Sequence, residues 1–456
     1  MVAQRQMQAP RAMTAAELAA LSPQARAQYF SGLPQEKAAQ EQAALVAYVN
    51  QMNRDYMKRT VRKKAVCPPS SGSGLNQTYA TQTQLTYNAP IATDGFLEGF
   101  YVRLNLKVDF ATGTSAVYAA TAARELALIR EITVNYQGTQ FKFKPYVLRE
   151  YRRLQGIYMP TWPDSVLASA NSIASLTSYE SQGSLPISGT TQTVNIEFFV
   201  PLNMLHPQDV RGLLPIDGES TTAQIIIETA PALLGNDAAK NVWYAVSGSG
   251  HAVTLTAGQS QTCQVIAVYR DGSSMSQRDS LPIQFGGVGT VQFQNDVDLT
   301  GFSAGQIYRQ KITKLEQHYY VLLTVIDGQQ ANLYADIDNV TYLDLATDET
   351  GSTKFWSVGS GTNLSIYEWF NEMRYTLRQD LSEGIIPLAF APIYNEADPD
   401  NLNGSHILNC DPARGGWSAV HYGIQFNSLA STLSGVTPRV ECHLIWVNPQ
   451  GLVAST

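Results

Sequence analysis

Charged side chains are scarce in this sequence. Asp, Glu, Lys and Arg make up 15% of the 456 residues, against roughly 25% in an average globular protein. Hydrophobic residues make up 44%, so Thr, Ser, Gln, Asn and Gly must form much of the surface. Charges are depleted where subunits cover one another, because ions at an interface core must be desolvated. The composition therefore favours a protein with extensive subunit contacts.

Cysteine and long apolar runs are scarce as well. The four cysteines show no Cys-x-x-Cys spacing, which argues against a disulfide framework or a zinc knuckle, and we expect reduced thiols. No apolar run reaches the ~18–20 residues of a membrane span, and the first residues lack the apolar segment of a secretory signal. We therefore expect a protein that is made and assembled in the cytoplasm.

The sequence lacks the motifs of common enzyme classes. Phosphate-loop, zinc-helix, nucleophile-elbow and dinucleotide-binding spacings are all missing. Cys442 and His443 are adjacent, but neighbouring residues of a strand point to opposite faces and cannot easily share a metal ion. The acidic turn at 398–404 lacks the ligand spacing and the closing glutamate of a calcium loop. We predict no catalytic, cofactor-binding or metal site.

One enzyme hypothesis stays open beside this prediction. Glycoside hydrolysis needs two acids that flank a sugar-binding cleft, and Trp356 and Trp369 could stack on a sugar. Aromatic residues at helical or strand spacing more often belong to a core, and exposed acids are more often solvated. The acids in question are Asp336, Asp338, Asp344, Asp348 and Glu349.

The first 66 residues differ from the rest in charge and in pattern. They hold ten Lys and Arg and four Asp and Glu, a net charge of +6, whereas the remainder carries −13. Thr14 and Glu17 have the spacing of a capping box, and Ser22 and Pro23 predict the start of a second helix. A longer amphipathic helix is predicted from about Pro34 to Lys64. We therefore expect residues 1–66 to form a basic amphipathic helical arm.

A cluster of basic residues lies at the end of this predicted helix. Its members are Arg54, Lys58, Arg59, Arg62, Lys63 and Lys64. Such a cluster suits an anionic partner, because phosphates of nucleic acid or of lipid headgroups would both attract it. The competing interpretation is a solvated helix that packs on a neighbouring subunit. No base-stacking array surrounds the cluster, so sequence-specific nucleic-acid recognition is not expected.

Residues 67–75 are rich in Pro, Gly and Ser and predict a linker. Beyond it the periodicity changes from 3.6 to 2, most clearly at Val102–Phe110. Many strands separated by Gly, Pro and Asn indicate antiparallel sandwiches. Similar alternation recurs at Ile132–Tyr136, Val194–Val200, Ile225–Ile227, Cys263–Tyr269, His318–Ile326, Leu333–Ile337, Val420–Phe426 and Val440–Trp446.

Two helical inserts are expected among the strands, near Ala122–Arg130 and Ser365–Arg378. A glycine- and serine-rich stretch at 247–260 suggests a domain boundary, since strand patterning restarts after it. We therefore expect a first β domain over 76–255 and a second over 256–456.

In the order of these features the chain resembles the major capsid proteins of the tectivirus type, in the wider double jelly-roll lineage. The resemblance implies a mainly β fold of two antiparallel eight-stranded jelly rolls in tandem, preceded by an α-helical arm and with short helices in loops. The matching segments are the Gln- and Ala-rich opening through Val49, Asp94–Leu106, Ile196–Leu202, a polar helix at Pro207–Arg211, Ala223–Glu228, Tyr269–Pro282, Glu368–Arg378, Glu383–Gly384 and Ile385–Phe390.

The resemblance also implies a function. Proteins of this type form pseudo-hexagonal homotrimeric capsomers of an icosahedral shell around an internal membrane, as in a bacteriophage, and are not enzymes. The implied partners are further copies, penton and minor capsid proteins, and lipid headgroups of the membrane through the N-terminal arm. The expected location is the virion, after assembly in the host cytoplasm. Deleting residues 1–66 should then leave trimers folded and stop shell closure.

Two other functions remain as alternatives. The first is a trimeric viral receptor-binding or spike-type β-sandwich protein, which has little use for a basic helical arm. The second is a carbohydrate-active enzyme with sandwich modules, against which the missing secretion signal counts.

Overall fold

A computed structural model describes segments of both halves of the chain. The described residues are 12–21, 23–59, 61–71, 77–79, 84–90, 95–110, 117–120, 129–136, 139–145, 147–148, 183–186, 191–202, 214–216, 223–229, 243–245, 253–271, 290–295, 299–300, 303, 305–313, 317–327, 340–369, 385–389, 408–410, 412, 416–426 and 438–448.

Three helices occupy the N-terminal arm: α1 (Ala15–Ala20), α2 (Pro23–Ser31) and α3 (Gln35–Arg59). The predicted capping box is present, because Glu17 N–H donates to Thr14 Oγ1 over 3.2 Å and Thr14 N–H donates to Glu17 Oε2 over 2.8 Å. Leu18 of α1 and Leu45 of α3 are fully buried against each other's helix, with Tyr29 and other aromatic residues around them. The arm therefore has a small core of its own.

The first half of the chain contributes fourteen strands to the described structure. They are β1 (Val61–Val66), β2 (Gln77–Thr78), β3 (Gln84–Asn88), β4 (Gly95–Phe110), β5 (Val117–Ala120), β6 (Ile129–Tyr136), β7 (Thr139–Phe143), β8 (Gly183–Pro186), β9 (Thr191–Pro201), β10 (Leu214–Ile216), β11 (Ala223–Thr229), β12 (Trp243–Ala245), β13 (Val253–Leu255) and β14 (Thr262–Asp271).

These strands build a sandwich of two main sheets. In the first sheet, β4 is flanked on one side by β13 and β14 and on the other by β9 and β10, and β1 and β2 lie outside β14. The two strands of each pair β1 and β2, β9 and β10, and β13 and β14 lie end to end, and each pair counts as one ribbon. Together with β4 they make four ribbons in the first sheet. The second sheet has the order β3-β11-β6-β7, and β12-β5-β8 form a small third sheet. Four ribbons facing four strands give the expected eight-stranded sandwich.

The second half repeats this plan with ten strands. The order β15-β24-β18-β21, in which β16 continues β15 and β22 continues β21, faces the order β17-β23-β19-β20. Every described pairing is antiparallel. The strands are β15 (Thr290–Asn295), β16 (Leu299–Thr300), β17 (Ile307–Lys311), β18 (Gln317–Asp327), β19 (Val340–Ala346), β20 (Lys354–Gly359), β21 (Ile385–Ala389), β22 (Leu408–Asn409), β23 (His421–Phe426) and β24 (Pro438–Asn448).

Period-2 alternation produces the core of each sandwich. Val102, Leu104 and Leu106 of β4 are at most 2% exposed, whereas Arg103 between them is exposed. In the second sandwich Val440, Cys442 and Leu444 of β24 are fully buried in a single cluster of apolar side chains with strands of the facing sheet. The mainly β, double-sandwich architecture predicted from this alternation is thus confirmed.

The predicted helix end is wrong. The expected helix to Lys64 stops at Arg59, and residues Val61–Val66 form β1, which pairs with β14 over six residues. Lys and Arg are good helix formers, so local propensity gave no stop signal. In the strand, Val61–Val66 forms a hydrogen-bonded ladder with β14 of the sandwich, whereas a longer, exposed helix would pack on nothing. This tertiary pairing overrides the local helix preference.

The expected domain limits also differ from the strand pairing. β1 lies in the predicted arm, and β14 lies in the predicted second domain, yet both belong to the first sheet. Within the predicted linker, Cys67 is fully buried and Pro69 bridges to Tyr87, so this stretch crosses between the two sheets. We propose that the first sandwich runs from Val61 to Asp271 and that the boundary lies between Asp271 and Thr290.

Several expectations fall on undescribed residues. The insert near 122–130 is undescribed up to 128, and Ile129 and Arg130 begin β6. The second insert begins as a helix at Ile366, with Ser365 and Glu368 in a capping arrangement, and is described as far as Trp369. The segments 207–211, 333–337 and 383–384 and the acidic turn at 398–404 lie outside the described residues.

Candidate functional site

The structure divides the basic cluster between two elements. Arg54, Lys58 and Arg59 lie in the last turns of α3, while Arg62, Lys63 and Lys64 lie on β1. The sequence analysis placed all six at the end of one helix. The three strand residues are exposed, and alternation on β1 places the side chains of Arg62 and Lys64 on one face and that of Lys63 on the other.

Arg62 belongs to a charged network on the outer face of the first sheet. Its Nε donates to Glu98 Oε2 over 2.7 Å, and Nε of Arg270 donates to the other oxygen of the same carboxylate. The side chains of Arg270 and Glu98 are only 12% and 14% exposed, whereas that of Arg62 is 44% exposed. Two guanidinium groups thus share one carboxylate, and Arg62 is the exposed member of this network.

Lys64 contacts aromatic residues on the same face. Its Nζ lies 4.3 Å from the ring centroid of Tyr101, whose ring packs at 4.9 Å against Phe199. The guanidinium of Arg62 lies 5.8 Å from the Phe199 ring. Such cation–π contacts attract the ammonium group without neutralising it. Among the described residues no carboxylate pairs with Lys64.

β1 is the outermost strand of the first sheet in the described structure. The N–H of Cys67 donates to Val265 O over 2.8 Å, so residue 67 faces β14 in the ladder. Alternation along an antiparallel pair then turns the N–H and C=O groups of Arg62, Lys64 and Val66 away from β14. No described strand pairs with β1 on that side. The residues that carry the charge thus also carry the open peptide groups.

Sequence reasoning missed the partners of this segment. Glu98, Tyr101 and Phe199 lie on β4 and β9, and Arg270 lies on β14. Nothing in the local pattern around β1 points to residues so distant in the chain. The one usable signal was the valine at each end of Val61–Val66, since valine favours a strand over a helix.

The two sandwiches contact each other through a buried ion pair. Lys144, which follows β7, donates from Nζ to Glu441 Oε2 over 2.6 Å, and His443 Nε2 lies 3.3 Å from the same oxygen. Glu441 is fully buried and His443 is 3% exposed. Alternation on β24 turns both away from the core cluster that contains Cys442. The first sandwich therefore covers the outer face of the β24 sheet around Glu441.

The acids considered for glycoside chemistry have structural partners where they are described. Asp344 is buried and accepts hydrogen bonds from Arg309 and from the Tyr342 hydroxyl, the latter over 2.9 Å. Asp348 accepts from the backbone N–H groups of Ser352 and Thr353 in the β19–β20 turn. The hydroxyl of Thr350, followed by these backbone donors, stabilises the carboxylate and holds the pKa of Asp348 well below its usual value.

The aromatic residues of the same hypothesis belong to the core. Trp369 is 5% exposed, and Trp356 packs against the core cluster with its ring edge-on to Trp369 at 5.5 Å. Asp336 and Asp338 lie outside the described residues. Within the described part of the chain, the acids and tryptophans therefore do not line a shared cleft.

All four cysteines are buried free thiols. Burial raises the pKa of Cys67, Cys263 and Cys410 to about 12, since the thiolate would lose its hydration. Among the residues that the structure describes, no three His, Cys, Asp or Glu side chains come together as a metal site. None of the described helices is both long and apolar enough to cross a membrane.

The arrangement of two eight-stranded antiparallel sandwiches in one chain defines a double jelly-roll protein. No protein-family model and no curated protein matches the chain, but solved structures do. The MCP of STIV, the Sulfolobus Turreted Icosahedral Virus, aligns with a TM-score of 0.50 at 11% identity, covering 86% of this chain and 98% of that chain. PBCV-1 VP54, fitted into a reconstruction of the virophage Sputnik, aligns with a TM-score of 0.51 at 10% identity, covering 87% and 97%. The chain has the double jelly-roll fold of these major capsid proteins.

Proposed function

We propose that the chain is the major capsid protein of an icosahedral virus and that its role is structural and not catalytic. The observation that carries the proposal is the structural match to solved viral capsid proteins, which covers 86–87% of this chain and 97–98% of those chains. Fold alone does not fix function. Here the described residues Asp344, Asp348, Trp356 and Trp369 of the enzyme hypothesis are engaged in an ion pair, a turn and core packing, which supports the structural role.

Physical requirements of a shell support a homotrimer. Two similar sandwiches side by side give three chains six similar edges, which suits a hexagonal lattice position, and closed rotational symmetry repeats one interface. The contact through Lys144 and Glu441 holds the sandwiches of one chain together. The low charged fraction of 15% suits surfaces that neighbouring capsomers, penton proteins and minor capsid proteins cover.

We propose that the basic segment contacts an anionic layer inside the shell. Lipid headgroups of an internal membrane or an acidic minor protein would both serve, with about 1 kcal/mol for each basic residue near an anionic bilayer. This proposal retains Arg54, Lys58 and Arg59 on α3 and Arg62, Lys63 and Lys64 on β1. The mature protein is then located in the virion of a bacteriophage, after assembly in the cytoplasm of the host.

The structure changes the truncation that tests this function. Deleting residues 1–66 would also remove β1 from the first sheet, so the arm alone is removed by deleting residues 1–59. We expect the protein lacking 1–59 to form folded trimers that do not close into shells, as measured by light scattering and electron microscopy. Normal shells from this protein would contradict a role of the arm in assembly.

The matched variant lacks residues 1–66. We expect it to show lower stability to urea than the protein lacking 1–59, because the β14 edge and the buried Val265–Ala267 region lose their cover. Equal stability of the two truncations would show that β1 is not part of the folded sandwich.

A further inference from the structure

The edge of β1 presents peptide groups and charge together. The open N–H and C=O groups belong to Arg62, Lys64 and Val66, and the side chains of Arg62 and Lys64 lie on one face of the same strand. An extended segment that added to this edge would form main-chain hydrogen bonds with these three residues. Its own side chains would stand about 5 Å from those of Arg62 and Lys64.

The charges select the kind of segment that fits. An added strand with basic residues, including β1 of another copy, would place like charges opposite one another, which is destabilising. An acidic residue opposite Lys64 would instead meet an ammonium group that contacts the Tyr101 ring and no described carboxylate. An acidic residue opposite Arg62 would meet the exposed member of the network in which Arg62 and Arg270 share Glu98.

We propose that β1 is a docking edge for an extended acidic segment of a partner protein, which adds as a further antiparallel or parallel strand next to Arg62, Lys64 and Val66. This proposal rests on the proposed contact between the basic segment and an anionic layer. It makes that contact more specific, because it assigns an acidic protein strand to Arg62, Lys63 and Lys64 on β1. Edge lysines commonly protect a sheet from unwanted pairing. Here the same residues exclude basic and self-pairing strands and leave acidic strands as the favoured class.

The added strand has a defined geometry that separates it from simple charge attraction. Three outward peptide groups, alternating with residues bonded to β14, require a partner that is extended over about five residues. A lipid headgroup or a free phosphate would contact the ammonium and guanidinium groups without pairing to the backbone. Removing one outward N–H group therefore distinguishes a strand partner from the other anions.

Proline at position 64 removes that group alone. The N–H of Lys64 points away from β14, so proline leaves the β14 ladder intact, and proline is tolerated at such positions of edge strands. Lys64→Thr is the matched control, since it removes the same charge and keeps the N–H group. Both variants of the full chain should retain the near-ultraviolet circular dichroism of the native protein.

The probe is a labelled seven-residue peptide that alternates threonine and glutamate, with a threonine and lysine peptide as its counterpart. We expect the acidic peptide to bind the full chain by fluorescence anisotropy, and the amides of Arg62, Lys64 and Val66 to gain protection from hydrogen exchange. Lys64→Thr should weaken binding, and Lys64→Pro should weaken it by about a further tenfold, the effect of one lost hydrogen bond.

Three results would overturn the proposal: no binding of the acidic peptide, equal binding of the acidic and basic peptides, or equal affinity of Lys64→Pro and Lys64→Thr. The last result would assign the site to charge alone, as for vesicles with anionic lipid. Shell assembly by the variants is scored separately. Normal shells with no peptide binding would contradict the docking proposal and would be consistent with the proposed capsid function.

Discussion

The side-chain amide of Gln261 takes the place of a peptide group opposite Lys107. Oε1 of Gln261 accepts from Lys107 N–H over 2.6 Å, and its Nε2 donates to Lys107 O over 3.1 Å. The pair spans the gap between β13 and β14, where the chain leaves the edge of β4 for a short turn. Gln261 is 4% exposed, so these bonds are protected from water, and β13 and β14 act as one ribbon of the first sandwich.

Replacing Gln261 with alanine should destabilise the protein. The N–H of Lys107 loses its acceptor, whereas its C=O keeps the N–H of Thr256 at 2.9 Å, and such a loss costs about 1–3 kcal/mol. Urea unfolding measures the loss, and hydrogen exchange at the Lys107 amide should become faster. Gln264→Ala is the control, because Gln264 lies half-buried on β14, three residues after Gln261. Equal effects of the two substitutions would show that the amide bridge contributes nothing specific.

Removing Glu441 should weaken the contact between the sandwiches. Glu441→Gln leaves Lys144 without its buried anion, and breaking a buried pair from one side costs on the order of 3 kcal/mol. The double variant Lys144→Met with Glu441→Leu should recover much of this loss, since it removes both charges of the pair. A thermal or urea double-mutant cycle measures the coupling. Additive effects of the single changes would show that the pair does not join the sandwiches.

Gly423 should not tolerate a side chain. It lies between Arg309 and Asp344 in the ladder of β17, β23 and β19, and an added Cβ would overlap Asp344 Oδ1. Gly423→Ala should therefore displace the carboxylate that Arg309 and Tyr342 hold, with a loss of about 2–4 kcal/mol. Gly32→Ala, where a Cβ meets only ordinary contacts, should change stability by less than about 1 kcal/mol. The same unfolding assay compares the two.

Sequence patterning predicted the elements that are half-buried and regular. Val102–Phe110 alternates along one strand and forms part of β4, and Thr14 and Glu17 form the predicted capping box. Sequence patterning failed where pairing with a distant strand decides the secondary structure. Val61–Val66 follows a long helix without a stop signal, and its strand state depends on β14, about two hundred positions later. The polar pairs Lys107 with Gln261 and Lys144 with Glu441 join residues 154 and 297 positions apart, and no local pattern records such distances.

Stability should fall at alkaline pH because the buried thiols resist ionisation. Cys67, Cys263 and Cys410 have pKa values raised to about 12 from 9.0. Their contribution is fully present below pH 9.0 and is lost as the pH rises through 12, because the unfolded chain ionises first. Each thiol lowers the unfolding free energy by about 1.4 kcal/mol per pH unit in this window.

Urea unfolding at several pH values from 8 to 11 checks this slope. Cys410→Ala should reduce the slope of the unfolding free energy against pH by the contribution of one thiol. Below pH 9.0 the variant and the parent should show the same pH dependence. A free energy that stays constant to pH 11 would contradict the burial of these thiols.

The native mass of the purified full chain tests the central claim most directly. The mass of one chain is 49.9 kDa, and light scattering after size exclusion, followed by electron microscopy of the same peak at rising concentration, gives the assembly state. A capsid protein with this fold should form a stable trimer with a six-sided outline. A monomer at all concentrations would contradict the shell function and favour the binding-protein or enzyme alternatives.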